Sequence, residues 1–313
     1  MSAIKKLDDL KKVVKGLTEK KKLVLAAAGD EHSLHAVHSA WQQGLIEPIL
    51  VGDERRIRQV AEQEGADLHD VRIIHEIDPK KTVMRSVKMI HDQQADVLMK
   101  GHVGTADLLR GVLHKDWGLR TRKLLSHFAW FEIPAYDKLL ALTDVAMNIA
   151  PNLRDKMEII NNAVEFLNKL GIDNPKVAAV AAVEMVNEQM QATTDAALLS
   201  IMCRRGQIKN CVIDGPLAFD NAISTESSEH KGIMSEVAGH ADMLLAPDIE
   251  AGNVLYKAFV FFVKAKVASV ILGASAPIVL TSRADSEETK LSSIMLAAAS
   301  SMSREDLEKQ LRS

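Results

Sequence analysis

Two cysteines, Cys203 and Cys211, are all that the 313 residues contain. That is too few for a disulfide framework or a four-cysteine zinc site, and it fits a reducing compartment. Aromatic residues make up only 4% of the chain. With Ala, Val, Leu and Met plentiful, this favours helices and buried aliphatic strands over an all-β sandwich. Neither sign of charge dominates: a formal net charge of -3 gives no global electrostatic reason to bind nucleic acid. No apolar run approaches the roughly 20 residues of a membrane span, the stretch 177–183 being among the longest. The N-terminus has no apolar signal core, so the expected location is the cytoplasm, with no membrane partner.

What remains is an ordinary soluble composition, 47% hydrophobic and 26% charged, in a chain long enough for roughly two domains. Ile4, Leu7, Leu10, Val14 and Leu17 recur every three or four residues, so an amphipathic helix with a lysine-rich outer face is expected over 4–22. Asp8, Asp9 and Glu19 interrupt its positive charge, and docking on the protein's own core is expected rather than membrane binding. Short apolar stretches then alternate with helical segments: strands are expected at 23–28, 49–51, 71–75 and 96–99. A second alternation begins after Pro151, with strands at 177–183, 211–214, 243–246 and 269–272, and a last strand at 278–280. The fold class expected is α/β with mainly parallel sheets in two domains. The first would span 1–148, rejoined by 278–313, and the second 149–277.

Polar residues cluster where these strands end, which is where open α/β sheets bind ligands. The sequence 100–105 (Lys-Gly-His-Val-Gly-Thr) leads from a strand into a helix. Two glycines let backbone approach a ligand, Thr105 can cap the helix, and Lys100 and Arg110 add positive charge. No Gly-Lys-Ser/Thr follows, so this is not a P-loop. Asp144 to Asn148, Asp214-Gly215-Pro216, and Asp248 to Asn253 with Lys257 one turn on are the next three clusters. The fifth is Thr281-Ser282-Arg283-Ala284-Asp285-Ser286: hydroxyl, guanidinium and carboxylate together, suited to an anionic substrate. Each cluster alone also reads as a capped surface loop; five at successive strand ends point to a ligand. His32, His35 and His38 share a helix face, but no carboxylate-rich partner motif accompanies them, and no metal site is expected. The two cysteines read as buried fillers.

These segments resemble the phosphate acetyl/butyryltransferase family. The resemblance rests on Ala26-Ala27-Ala28-Gly29-Asp30, on 100–107, on Thr143-Asp144-Val145-Ala146-Met147-Asn148, on 177–184, on 213–224, on 247–257 and on 281–286. It implies two α/β domains around a cleft, a fold akin to isopropylmalate dehydrogenases, and a homodimer. It implies a reversible reaction in which acyl-CoA and phosphate give acyl phosphate and CoA, with no metal and no cofactor beyond CoA as substrate. Ser282 and Arg283 match the family's pair at the reacting phosphate, and Thr105 and Arg110 its phosphate-side loop and helix. Asn148, Asp214, Asn253 and Lys257 are the candidate contacts for substrate and CoA. Where acetyl-using members read Asp-Cys-Ala-Val-Asn this chain has 144–148 as Asp-Val-Ala-Met-Asn, and their Ser/Thr-Gly-Ser run is replaced at 183–187. Both departures tilt the expectation toward butanoyl-CoA. The place of the family's general-base aspartate, six residues after the arginine, holds Thr289, so Asp285 is the first candidate for the base, with Glu287 and Glu288 behind it. An acetyl-using enzyme, a metal- and NAD-dependent hydroxy-acid dehydrogenase of similar fold, and a non-catalytic CoA or phosphate sensor remain the alternatives.

Overall fold

The computed structural model describes residues 4–282, 285–301 and 307. The chain opens with α1 (Asp9–Lys15), β1 (Lys21–Ala26), α2 (Glu31–Gln42), β2 (Ile46–Gly52), α3 (Glu54–Gln63), β3 (Arg72–His75), α4 (Pro79–His91), β4 (Val97–Lys100) and α5 (Thr105–Val112). Then come β5 (Ser126–Glu132), β6 (Leu140–Thr143), α6 (Leu153–Lys169), β7 (Lys176–Val180), α7 (Gln191–Arg204), β8 (Val212–Leu217), α8 (Phe219–Ile223), α9 (Thr225–His230), β9 (Met243–Leu245) and α10 (Ile249–Phe261). β10 (Lys266–Leu272), β11 (Ile278–Val279) and α11 (Glu287–Ala299) follow.

These elements form two compact units. One comprises Asp8–Lys123 with the chain from Ala268 onward, the other Leu124–Val267 with the chain before Asp8. In the first unit the strand order is β3-β2-β1-β4-β11-β10. All pairings are parallel except β10–β11, where Ile271 faces Ile278. Leu23, Val24, Leu25 and Ala26 of β1 are all fully buried, as expected for a parallel strand covered on both faces, which shows a continuous apolar run rather than alternation. Helices start cleanly because Asp30, Asp53 and Asp78 each accept from a first-turn N–H.

In the second unit the order is β5-β6-β9-β7-β8. β5 and β6 are antiparallel, with Trp130 opposite Ala141, and the other pairs are parallel. Its core joins Phe131, Leu140 and Leu142 to Ala178, Leu217, Leu244, Phe259 and Val267. The expected break near Pro151 falls inside this unit. The reason is the β5–β6 pair, which ties the strand before Pro151 to β9 beyond it.

Two local expectations shift. The first helix is confined to Asp9–Lys15, with Ile4 and Leu7 buried ahead of it and Leu7 N–H donating to Glu132 Oε2 at 2.9 Å. The strand expected to run to Val183 stops at Val180. Opposite it β8 carries one extra residue, with Ala178 facing Asp214 but Val180 facing Leu217; a proline, lacking an N–H, sits in an edge strand at such an irregularity. The α10 helix buries Phe259, while Phe261 and Phe262 are exposed.

Candidate active site

The carboxyl ends of three neighbouring parallel strands meet in the first unit. Ala26 of β1 lies beside Lys100 of β4, and Met99 beside Val279 of β11. The residues that follow, 27–30, 100–102 and 281–282, are therefore delivered together although they come from opposite ends of the chain. Gly101 N–H donates to Ala26 O at 2.8 Å and His102 N–H to Ala27 O at 2.7 Å, so the turn after β4 is stapled to β1. The staple needs glycine: a Cβ at 101 would stand 2.7 Å from Ala26 O and 3.0 Å from the Ala27 carbonyl carbon.

A cavity of about 90 Å³ opens here, lined by Asp30, Ser33, Lys100, Gly101, Ser282 and Lys290, with His32, His102 and Thr281 completing the wall. That is room for several waters, and hence for a small tetrahedral anion. Two buried lysines face it. Lys100 is 7% exposed and donates through Nζ to Gly101 O at 3.3 Å. Lys290 is 1% exposed, in the first turn of α11, and donates to Asp285 O at 2.5 Å. Burial lowers the ammonium pKa of Lys290, and the carboxylates of Asp285, Asp30 and Glu287 oppose that drop. Against two ammonium groups the cavity wall carries one carboxylate, Asp30.

A second cavity, about 440 Å³, shares Asp30, His32 and His102 with the first and extends over Gly29, Gly52, Arg56 and Ile77. Its size falls in the range of organic ligand pockets. Its wall carries Asp30, Glu31, Asp53 and Glu76 against Arg56, so net positive charge resides in the small cavity.

Ser282 enters the cavity as the sequence suggests. Its N–H donates to Asp285 Oδ2 at 2.6 Å and its carbonyl accepts from Asp285 N–H at 3.2 Å. The Asp285 carboxylate thus closes the turn that presents Ser282, and it is not among the residues lining the cavity. Burial raises its pKa, opposed by the Ser282 N–H and by Lys290. Arg283 lies outside the described residues. Of the other base candidates, Glu287 Oε1 stands 2.6 Å from His35 Nδ1, and Glu288 is not part of the cavity wall. Thr289 N–H donates to Ser286 Oγ, capping α11.

Thr105 and Arg110 are not brought to this cavity. Both are exposed on α5, and Arg110 is paired with Asp107 of its own helix at 2.6 Å. Asn148, Asp214, Asn253 and Lys257 belong to the other unit. Asn148 Nδ2 donates to Asp144 Oδ2 at 2.6 Å and to Leu125 O at 2.9 Å, while Asp144 Oδ1 accepts from Ala146 and Met147 N–H. This knot closes the turn after β6. Asn253 Nδ2 donates to Val145 O at 3.2 Å and Asp214 accepts from Gly215 N–H at 2.9 Å, whereas Lys257 is exposed. Beneath the knot His127 is fully buried and its imidazole pKa is lowered to about 4 by desolvation, against the pull of Asp144.

Among the described residues no three of His, Cys, Asp or Glu converge to hold a metal ion. Cys203 Sγ donates to Cys211 O at 3.3 Å, and burial pushes the Cys211 thiol up to about 12, which rules it out as a ready thiolate. Sequence reasoning missed Lys290 and gave no role to Asp30. Asp30 carried a signal, directly following β1 and Gly29. Lys290 carried none beyond being a lysine just ahead of the apolar run Ile294–Ala299.

The sequence profile described as "Phosphate acetyl/butaryl transferase" matches residues 6–82 and 75–298. A phosphate butyryltransferase of Clostridium acetobutylicum is 50% identical over 280 residues, 90% of this chain and 93% of that protein. A phosphate acetyltransferase of Thermotoga maritima is 46% identical, over 89% of this chain and 94% of its own. The crystal structure of a branched-chain phosphotransacylase from Enterococcus faecalis superposes with a TM-score of 0.79 at 31% identity, covering 90% of this chain and 98% of the other. Among the described residues no helix is long and apolar enough to cross a membrane.

Proposed function

The chain belongs to the phosphate acetyl/butaryl transferase family, and from that premise we propose that it transfers a butanoyl group reversibly between coenzyme A and inorganic phosphate. It is an acyltransferase; the butanoyl preference rests on the 50% identity to a phosphate butyryltransferase and on the departures at 144–148 and 183–187. The observation that carries the reading is the small cavity walled by Lys100, Lys290 and Ser282. Phosphate is the natural occupant: an anion offsets the positive charge that two buried ammonium groups leave against one carboxylate, while the larger adjoining cavity carries mainly carboxylates.

With phosphate in that cavity, one of its oxygens attacks the thioester carbonyl and CoA leaves as the thiolate, which then takes a proton. In reverse, the CoA thiol loses its proton, sulfur bonds to the acyl carbon, and the carbon–oxygen bond to phosphate breaks. Lys100, Lys290 and the Ser282 hydroxyl stabilise charge on the phosphate, and Arg283 is proposed to act with them. Preorganised donors of this kind contribute on the order of 10² to 10³ in rate each, more than the roughly 30-fold available from ionising a thiol of pKa about 8.5 at neutral pH. The reaction as proposed needs no metal or redox cofactor, and Lys257 is retained as a contact for the coenzyme.

A homodimer is the proposed assembly, since Phe261, Phe262 and Val263 at the end of α10 are exposed together. The decisive experiment is thiol release from butanoyl-CoA on addition of phosphate, with EDTA present and NAD omitted. Phosphate-dependent release faster with butanoyl-CoA than acetyl-CoA is expected. Release independent of phosphate, or none with any short acyl-CoA, refutes the reading.

A further inference from the structure

We infer that Asp30 is the proton acceptor for the coenzyme thiol, a proposal that rests on the acyltransfer reading above. Asp30 is the N-cap of α2, and its Oδ1 accepts from Ser33 N–H at 3.0 Å. Its Oδ2 is buried with no hydrogen-bond partner among the described residues. Buried carboxylate oxygens are rarely left unmatched, because an unmade bond there costs about 1–3 kcal/mol or more. Asp30 lines the small cavity with Lys100, Ser282 and Lys290, and it also lies on the wall of the larger one. A phosphate in the first cavity and the end of a long thiol reaching through the second meet where Asp30 stands.

Of the other acids near the site, Glu31 is exposed, Asp53 caps α3 and Glu76 pairs with Arg85. Asp285 holds the Ser282 turn, Glu287 pairs with His35, and neither belongs to the cavity wall. The charged and titratable groups on the cavity walls with Asp30 are Lys290 from α11, Lys100 and His102 from the turn after β4, Arg56 from α3, Glu31 and His32 on its own helix, and Asp53 and Glu76 on the larger wall. Lys290, a buried ammonium anchored on Asp285 O, interacts electrostatically with Asp30 as well as facing the cavity.

The thiol S–H bond breaks and its proton goes to Asp30 Oδ2. The sulfur pair forms the bond to the acyl carbon, and the bond from that carbon to the phosphate oxygen breaks with its electrons on phosphate. Asp30 returns to the carboxylate by releasing its proton to the departing phosphate or to water.

The test uses butanoyl phosphate and CoA, with thiol consumption followed from pH 6 to 9. Asp30→Asn keeps the helix cap through its amide oxygen but has no base. Ionising the thiol accounts for roughly 30-fold at pH 7, so a loss of about 30-fold is expected there, below the roughly 10² to 10⁴ common for general-base removal. That loss should shrink about tenfold per pH unit toward the thiol pKa near 8.5, where thiolate forms unaided, while the wild type stays flatter. Asp30→Ser, another capping residue without a base, should behave alike and covers the case in which the asparagine variant fails to fold. Variant activity near wild type, a loss that is constant with pH, or the same pH signature in His32→Asn or His102→Asn instead overturns the assignment. Wild-type thiol consumption is the control: its absence sinks the acyltransfer reading itself, whereas its presence beside an unaffected Asp30→Asn sinks only the role of Asp30.

Discussion

Replacing Gly101 by alanine should disable the enzyme out of proportion to the single methyl group added. The new Cβ would lie 2.7 Å from Ala26 O, where ordinary contact begins at 3.4 Å, and the Ala27 carbonyl crowds it as well. The carbonyls cannot retreat, because β1 is hydrogen-bonded to β2 on one side and β4 on the other, with Leu25 between Leu50 and Met99. The turn after β4 must move instead, stretching the bonds from Gly101 N–H and His102 N–H to β1. Overpacking costs about 1–3 kcal/mol and each weakened bond about 1 kcal/mol, so a destabilisation of about 2–4 kcal/mol is expected. Lys100 precedes the turn, and a catalytic group displaced by about 1 Å typically loses about 10² in rate. Gly104→Ala three residues on is the matched control. Its Cβ meets only the flexible Asp107 Oδ2, at 3.1 Å, so stability should change by under about 0.5 kcal/mol. Urea unfolding and phosphate-dependent thiol release measure both variants. A Gly101→Ala protein with wild-type midpoint and turnover would refute the stapled-turn argument.

Other consequences are open to the same assays. Lys100→Met should raise the Michaelis constant for phosphate by about 10- to 100-fold, the worth of a charge-assisted hydrogen bond at about 1.5–3 kcal/mol, while that for butanoyl-CoA changes little; equal effects on both would place phosphate elsewhere. Lys156 and Asp195 form a buried ion pair at 2.7 Å between α6 and α7. Lys156→Met alone should cost about 3–5 kcal/mol and adding Asp195→Leu should restore most of it, read by urea midpoints. His127, held neutral with its pKa lowered to about 4, makes the unfolded chain bind more protons than the folded one between about pH 6.5 and 4. Stability from this group is therefore present above pH 6.5 and lost as pH falls through that window, by up to about 1.4 kcal/mol per unit, and His127→Gln should flatten that part of the acid-unfolding curve.

Much of the fold was readable because its parallel strands are short apolar runs stopped by polar turns, as at Leu23–Ala26 and Val97–Met99. β5 was missed for a physical reason. Ser126–Glu132 is buried along nearly its whole length and so shows no period-two alternation, and it carries Ser126 and His127 inside the core. Ser126 is tolerated because a distant residue serves it: Asn162 Nδ2 donates to Ser126 Oγ at 3.1 Å. A sequence window of a dozen residues cannot register that partner. Since β5 pairs antiparallel with β6, missing it also displaced the expected boundary between the units to Pro151.

The site divides along the same line. Polar residues after a strand mark both a ligand-facing turn and a turn that only closes itself, and the two carry one sequence signature. Asp144 and Asn148 spend their oxygens and amide on Ala146, Met147 and Leu125, whereas Lys100 and Ser282 face a cavity. What separates them is which strands are neighbours. β11 arrives from near the end of the chain to lie beside β4, which in turn lies beside β1, and only that adjacency brings Asp30, Lys100, Ser282 and Lys290 together. Charge follows from the adjacency too: two buried ammonium groups share one cavity, at a desolvation cost that a dianion bound between them would offset. A neutral or cationic occupant would leave that cost standing, so competition by neutral or cationic analogues of phosphate should be negligible beside that of arsenate or vanadate.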